Sequence, residues 1–362
     1  MKKLTLLIIF CVLLMVPSQH VFAKTMRLGY LEAGSFWTYT ASAEALLAAL
    51  KDPGLASKMN WHNTVTIPDN AYFSPGWGNI DELRNAAATL MQRTDLDLIL
   101  VAGTDATTAI LEKNNGKTPI VAFSVADPVL SGFVKSSHDS GVDNFTVRIV
   151  PGRYKRMFDV FYSIAKYKRL GIMYHNSPST MLFSSVQDAR AAAAENGYEL
   201  VEYPYLPESE NTASCKKGLK FLLDKNIDAF FIGSLLCFDW TKADVTPLID
   251  TLIDHNVVTF AREGTPLVKR GGLMGFSTIS FSKRGRFLAE RVIKILQGAS
   301  PRSLSMIDNA IPKISLNLLT AEKIGFNPPL DLLAASDEVF LSIDGSCVNQ
   351  SNSNQSFYTE QE

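Results

Sequence analysis

Leu96-Asp97-Leu98-Ile99-Leu100-Val101-Ala102-Gly103-Thr104-Asp105 decides how the rest of this chain is to be understood. The apolar run from Leu98 is unbroken, as a strand buried on both faces of a parallel sheet requires. Gly103 then ends it, and a helix is expected from about Asp105 to Glu112. Upstream, Met26–Tyr30 and Asn63–Thr66 read as strands and Ala41–Leu50 as a helix. Ile80–Gln92 is a second helix, with Asp81 and Glu82 in the first turn where carboxylates favour the helix dipole. Downstream, Ile120–Phe123 is a fourth strand. Such βαβα alternation implies a parallel sheet with helices on both faces.

The rhythm then restarts. Tyr154–Ala165, Thr180–Asn196, Cys215–Lys225 and Pro247–Asn256 have helical patterning. Between and after them, Leu170–Tyr174, Leu200–Tyr203, Ala229–Ile232, Val257–Phe260 and Gly272–Phe276 read as strands. The junction between the two blocks falls near Thr146–Gly152. An amphipathic helix at Ser282–Gln297, a strand at Ile314–Leu318 and a short helix at Leu330–Ala335 complete the pattern. The expected fold class is α/β, with two doubly wound parallel-sheet lobes. Residues 341–362, rich in Ser, Asn and Gln, are expected to form a disordered tail.

The amino terminus bounds where the protein works. Met1-Lys2-Lys3, the apolar run Leu4 to Val16, a break at Pro17 and Val21-Phe22-Ala23 have the three-part layout of a cleaved secretory signal, residues 1–23. The run is too short to span a bilayer comfortably, which takes about 20 residues. The mature protein is thus expected to be soluble and periplasmic, beyond the reach of cytosolic nucleotides. Of 35 basic and 36 acidic residues, Lys2 and Lys3 leave with the signal. The slightly acidic balance that remains gives no electrostatic reason to expect nucleic acid or an anionic membrane as partner. Cys215, Cys237 and Cys347 survive cleavage; their odd number and lack of CxxC spacing argue against a disulfide scaffold and a structural zinc site. Cys237, in an apolar stretch, reads as a buried, inert thiol.

In open α/β sheets, ligands bind at the carboxyl ends of the strands. The loops there hold Phe36, Trp37 and Tyr39; Thr104 and Asp105; Ser124 and Asp127; Asn176 and Ser177; and Ser234 and Glu263. The hydroxyls and helix starts suit an anionic group. Asp105, Asp127 or Glu263 suits an ammonium, and the aromatic rings, with Tyr72, Phe73 and Trp77, suit a flat ligand. Blander readings stand beside these: Thr104 and Ser177 as helix caps, Asp127-Pro128 as a turn, the aromatics as packing. Enzyme motifs are absent. Gly116-Lys117-Thr118 resembles the end of a phosphate loop, but Leu111 stands where its first glycine belongs. There is neither GxSxG nor HExxH, so no catalytic residue, metal or cofactor is assigned.

Asp97 to Thr104, Thr118-Pro119-Ile120-Val121 and Asp127-Pro128-Val129 resemble the substrate-binding proteins of ABC transporters, in the tryptophan/tyrosine-type group. Gly141-Val142-Asp143-Asn144-Phe145-Thr146, Gly271 to Gly275, Ile314-Ser315-Leu316-Asn317 and Thr320-Ala321 are similar too, so the likeness spans residues 26–340. Val147 stands where that family has glycine, and the first loop and Asn70–Trp77 are longer and more aromatic. The resemblance implies a type I periplasmic binding fold whose lobes close about a hinge on a small organic molecule, with an aromatic amino acid as the leading ligand class, for an ABC permease in the inner membrane. It also implies more than one crossing between lobes. Residues 24–147 with about 277–310 would form the first lobe, and 148–276 with about 311–340 the second. Phe36, Trp37, Thr104, Ser124 and Asp127 would hold the ligand from one side, and Asn176, Ser177, Ser234 and Glu263 from the other. A monomer is expected. A ligand-sensing module for a membrane sensor kinase and an exported α/β hydrolase are the competing readings.

Overall fold

The protein's structure, a computed structural model, describes residues 23–276, 281–309 and 314–344. The expected leader before Ala23 and the tail beyond residue 344 lie outside the described residues. The first sheet is built from β1 (Thr25–Glu32), β2 (Thr64–Thr66), β3 (Tyr72–Phe73), β4 (Leu98–Ala102), β5 (Ile120–Phe123) and β6 (Phe145–Val147). Their order is β2-β1-β4-β5-β6, with β3 continuing the β2 edge beside Tyr30 and Leu31. Every pairing in it is parallel.

The central strand shows why its sequence lacks alternation. Leu98, Leu100 and Ala102 face one core, with Leu28, Tyr30, Val121 and Phe123 from neighbouring strands. Ile99 and Val101 face the opposite core, with Leu31, Ile120 and Ala122. Successive side chains of a strand point to opposite faces, so a sheet covered on both sides needs apolar residues at every position. Helices Ile80–Gln92 and Thr104–Glu112 cover the second face through Leu83, Ala87, Leu90 and Ile110.

The second sheet comprises β7 (Arg169–Met173), β8 (Glu199–Tyr203), β9 (Ala229–Ile232), β10 (Val258–Ala261), β11 (Met274–Phe276), β12 (Ile314–Asn317) and β13 (Ser336–Phe340), in the order β13-β12-β11-β10-β9-β7-β8. Only the β11–β12 pair among its described pairings is antiparallel. The long helix expected over Thr180–Asn196 is in fact two, Pro178–Phe183 and Val186–Asn196, broken where Ser185 adopts a left-handed φ of 59°. Periodicity continued across that break because Met181 and Val186 both face the core. Strands β3 and β6 are too short to leave a clear pattern, β13 opens on the polar Ser336-Asp337-Glu338, and the helix Pro53–Met59 contains glycine and polar residues; the sequence reading omits all four. Residues 341–344, read as part of the tail, are tethered: Asn317 Nδ2 donates to Ser342 O at 2.9 Å and Asp344 N to Lys269 O at 2.9 Å.

Two connecting segments run side by side between the sheets. Ile149 N donates to Met306 O and Asp308 N to Ile149 O, each at 2.8 Å, and a buried ion pair joins Arg148 to Asp308 at 2.6 Å. The helix Phe281–Leu296 follows β11 in sequence yet packs on the first sheet, through Leu288, Ala289, Val292 and Ile293. It crosses the helix Trp37–Leu50 at Gly285, where an added Cβ would stand 2.3 Å from the Ala45 carbonyl oxygen. Only a bare Cα permits this approach.

Cys237 is no free thiol. Helix Thr212–Asp224 packs against the turn Leu236–Phe238, bringing Cys215 and Cys237 to a Cα separation of 6.6 Å, and a disulfide joins them. Parity of the cysteine count could not reveal this, since Cys347 supplies the odd one.

Two measurements check this packing. Gly285→Ala should lower stability by about 1–3 kcal/mol, the usual cost of overpacking, read as a fall in urea midpoint; an unchanged midpoint would mean the helices do not meet there. Cys215→Ser should cost about 3 kcal/mol, as expected for a loop of this size, and a reductant should then have no further effect on the variant's melting temperature.

Candidate functional site

Strand order locates the site before any side chain is considered. In the first sheet the chain reverses its direction of winding between β1 and β4, and in the second between β7 and β9. Connections diverge at such points, leaving a crevice outside the strand ends. Here the crevices face each other across a cleft that is open to solvent.

The first lobe contributes an aromatic wall. Phe36 precedes the helix Trp37–Leu50 in extended conformation, and its ring meets that of Tyr39 edge-on, 5.7 Å away. Tyr39 in turn lies 6.2 Å from Trp77. Gly103, at φ 88°, makes room for the phenol: a Cβ there would fall 2.3 Å from the Tyr39 oxygen. Thr104 Oγ1 accepts from Ala126 N at 3.2 Å and so ties the loop after β4 to the loop after β5. Ser124 holds a left-handed φ of 55°, a conformation costing a non-glycine residue of order 1 kcal/mol, which sets its hydroxyl 3.4 Å from that of Ser42.

From the second lobe, the Ser234 hydroxyl donates to Glu263 Oε1. Glu210 accepts from Leu236 N at 2.6 Å, in the turn fastened by the disulfide, and burial pushes its carboxyl above the ordinary 4.5. His175 and Phe183 also face the cleft, and the His175 Nδ1 is buried with no partner among the described residues.

The hinge end is basic. Arg148 and Arg153 come from the crossing segment, Arg262 from the loop after β10, and Arg284 from the helix Phe281–Leu296. Arg262 lies over the Tyr154 ring at 4.3 Å, and its Nη2 donates to the Tyr154 hydroxyl at 2.8 Å. Arg284 stacks on Phe281 at 4.2 Å and donates from Nη1 to Ser42 Oγ at 2.9 Å.

Of the aromatic and acidic candidates, Tyr39, Trp77 and Asp105 line the cleft and Tyr72 and Phe73 lie outside it; of the nine residues assigned to the ligand, Phe36, Thr104, Ser124, Ser234 and Glu263 line it. Four do not. Trp37 opens the helix whereas Phe36 before it is extended, and the Trp37 ring packs 4.3 Å from Trp240 and 5.6 Å from Phe281. Asp127 starts a turn: its Oδ1 accepts from Val129 N and Leu130 N, both at 2.9 Å. Ser177 caps the helix Pro178–Phe183 by accepting from Thr180 N, and Asn176 is exposed beside it. The reading missed Arg148, Arg153, Tyr154, Arg284, Glu208 and Glu210. For Arg284 a signal existed: it shares the helix face of Phe281, Leu288 and Val292, a charge within an apolar stripe.

Two α/β lobes, each a doubly wound sheet, hinged beside a cleft at their strand ends, define the type I periplasmic binding fold. Solved structures agree. One is a conserved domain protein from Vibrio cholerae, 20% identical with a TM-score of 0.68, covering 88% of this chain and 99% of that one. A Streptococcus pneumonia ABC domain in complex with L-Trp is 16% identical with a TM-score of 0.65, covering 88% and 100%. The ligand-free, open structure of a substrate binding protein with adhesive properties from Clostridium difficile is 18% identical with a TM-score of 0.59, covering 89% and 100%. No curated protein gives a significant match. Residues 72–340 match the ABC transporter substrate binding protein family, and the chain belongs to it. Among the described residues no helix is long and apolar enough to cross a membrane.

Burial raises Glu210 above 4.5, so the folded protein binds this proton more tightly than the unfolded chain. The stability tied to that proton is full below pH 4.5 and is lost as pH rises through the folded value. Glu210→Gln should therefore show a smaller drop in melting temperature between acid and neutral pH than the parent; an equal drop would place the pH dependence elsewhere.

Proposed function

We propose that this protein captures a small organic ligand between its lobes, outside the cytosol, and delivers it to an ABC permease in the inner membrane. The observation that carries the reading is the make-up of the cleft. Rings of Phe36, Tyr39 and Trp77 form one wall, and polar groups from both lobes, Thr104, Ser124, Ser234 and Glu263, converge on the same space. A flat body with polar ends fits such walls, and an aromatic amino acid is the ligand class we favour. The L-Trp complex of the Streptococcus pneumonia relative supports that choice. Ligand contacts made to both lobes favour the closed state by their differential affinity, which is the mechanism we assign.

The lobe boundaries belong to the same proposal: residues 24–147 with about 277–310, and 148–276 with about 311–340. The packing of Phe281–Leu296 on the first sheet supports them. Binding without turnover is favoured by the commitment of the Ser234 hydroxyl to Glu263 rather than to an imidazole. We further propose a periplasmic monomer that has no nucleic acid partner.

Thermal-shift measurements with L-tryptophan, L-tyrosine and L-phenylalanine, against L-leucine, ribose and adenine, test the ligand class. A compound present at 100 times its dissociation constant adds about 2.7 kcal/mol, several degrees of melting temperature. A shift with ribose or adenine alone would discard the aromatic amino acid and keep the binding role. Trp77→Phe should abolish the ligand-induced change in tryptophan fluorescence, whereas Trp61→Phe, in the core at 3% exposure, should preserve it.

A further inference from the structure

Two guanidinium groups reach the cleft with hydrogen-bonding capacity to spare. Arg262 is 7% exposed and Arg284 8% exposed. Arg262 presents Nε to Glu263 at 3.7 Å and spends Nη2 on Tyr154, yet its Nη1 is buried with no partner among the described residues. Arg284 spends Nη1 on Ser42, and its Nε is likewise buried without one. Native proteins rarely leave buried donors unmet, and a buried charged donor is the costliest kind to leave so. Both groups line the cleft, so whatever meets them enters there.

Positive neighbours outweigh the negative one around Arg284. Burial and the like charges of Arg148 and Arg153 push Arg284 well below its ordinary value, with Glu263 opposing them. A guanidinium stays protonated in proteins, so the shift expresses a buried positive charge that Glu263 offsets only in part. Asp308 pairs with Arg148, and Glu263, which also accepts from the Ser234 hydroxyl, pairs with Arg262. Arg284 has no carboxylate paired with it among the described residues, and an anion entering the cleft would supply one.

We infer that Arg262 and Arg284 together receive the acid group of the ligand, a carboxylate, Arg262 donating from Nη1 and Arg284 from Nε. The inference rests on the binding role proposed above and adds the chemistry at one end of the ligand. It also explains how closure is driven. Arg262 follows β10 of the second sheet, while Arg284 sits on a helix packed against the first. One carboxylate held by both is therefore a bond between lobes, absent when they part. The rest of the ligand would extend away from the arginines, towards Trp77 and the carboxylates Glu208 and Glu210.

The test pairs each acid with a neutral counterpart: L-tryptophan with L-tryptophanamide, L-leucine with L-leucinamide, galacturonate with galactose. Titration calorimetry on the parent should show the acid of whichever scaffold binds preferred by about ten- to a hundredfold, the range for charge-assisted hydrogen bonds. Arg262→Gln and Arg284→Gln should each bring that preference close to unity. A neutral compound bound as tightly as its acid, or a variant that keeps the full preference, would overturn the inference and leave the binding role standing. Response to no compound at all would count against the binding role itself. Arg284→Met then decides the arginine question alone: removing a buried charge that is offset only in part should leave the unliganded melting temperature unchanged or higher, and a clear fall would make Arg284 a structural residue.

Discussion

Parallel pairing is the constraint from which the rest of this structure follows. Parallel strands cannot be joined by tight turns, so each connection must travel back over the sheet, here mostly as a helix. Helices on both faces dry the sheet completely, which is why Leu98 to Ala102 are all apolar. The same constraint sends the carboxyl ends of the first sheet's strands, and of β7 to β11 in the second, to one edge of each sheet, where loops are free of packing duty. Two such edges facing one another make the cleft, and the polar groups have nowhere else in the lobes to converge.

The hinge joins what the sheets separate. Ile149 and Ile307 lie side by side, and the buried Arg148–Asp308 pair fixes the two crossing segments to each other. Such a pair contributes little net stability against an apolar alternative, but removing one partner would strand a buried charge. Its value is in holding register. Trp37 against Trp240 and Lys242 Nζ against the Ser35 carbonyl then bring the lobes together at a distance from the hinge. The cleft is lined by basic groups at the hinge, by rings from the first lobe, and by Glu208 and Glu210.

Much of the fold was legible because periodicity reports burial. Ile80–Gln92, Ile120–Phe123, Ala229–Ile232 and Leu330–Ala335 have the expected bounds, and most other elements differ by a residue or a few at their ends. The helix Trp37–Leu50 begins four residues before the expected Ala41, since its opening turn carries aromatic rather than aliphatic residues. That shift also explains the misplaced Trp37. The site was legible only as loops: Thr104, Ser124, Ser234 and Glu263 follow strands directly, so strand assignment carries them into the cleft. Asp127 and Ser177 follow strands too, but their oxygens are taken by backbone amides of their own turn or helix.

The sequence by itself determined the α/β class, the two blocks and the loops in which polar chemistry sits, because those properties depend on local order and on which residues shun water. Tertiary structure alone decided the Cys215–Cys237 bond, the crossing at Gly285 and the placing of Arg262 and Arg284 in one cleft. Each joins positions that chain order keeps apart. Arg284 becomes part of the cleft only because its helix returns to the first lobe, and no local pattern carries the path of a chain between domains.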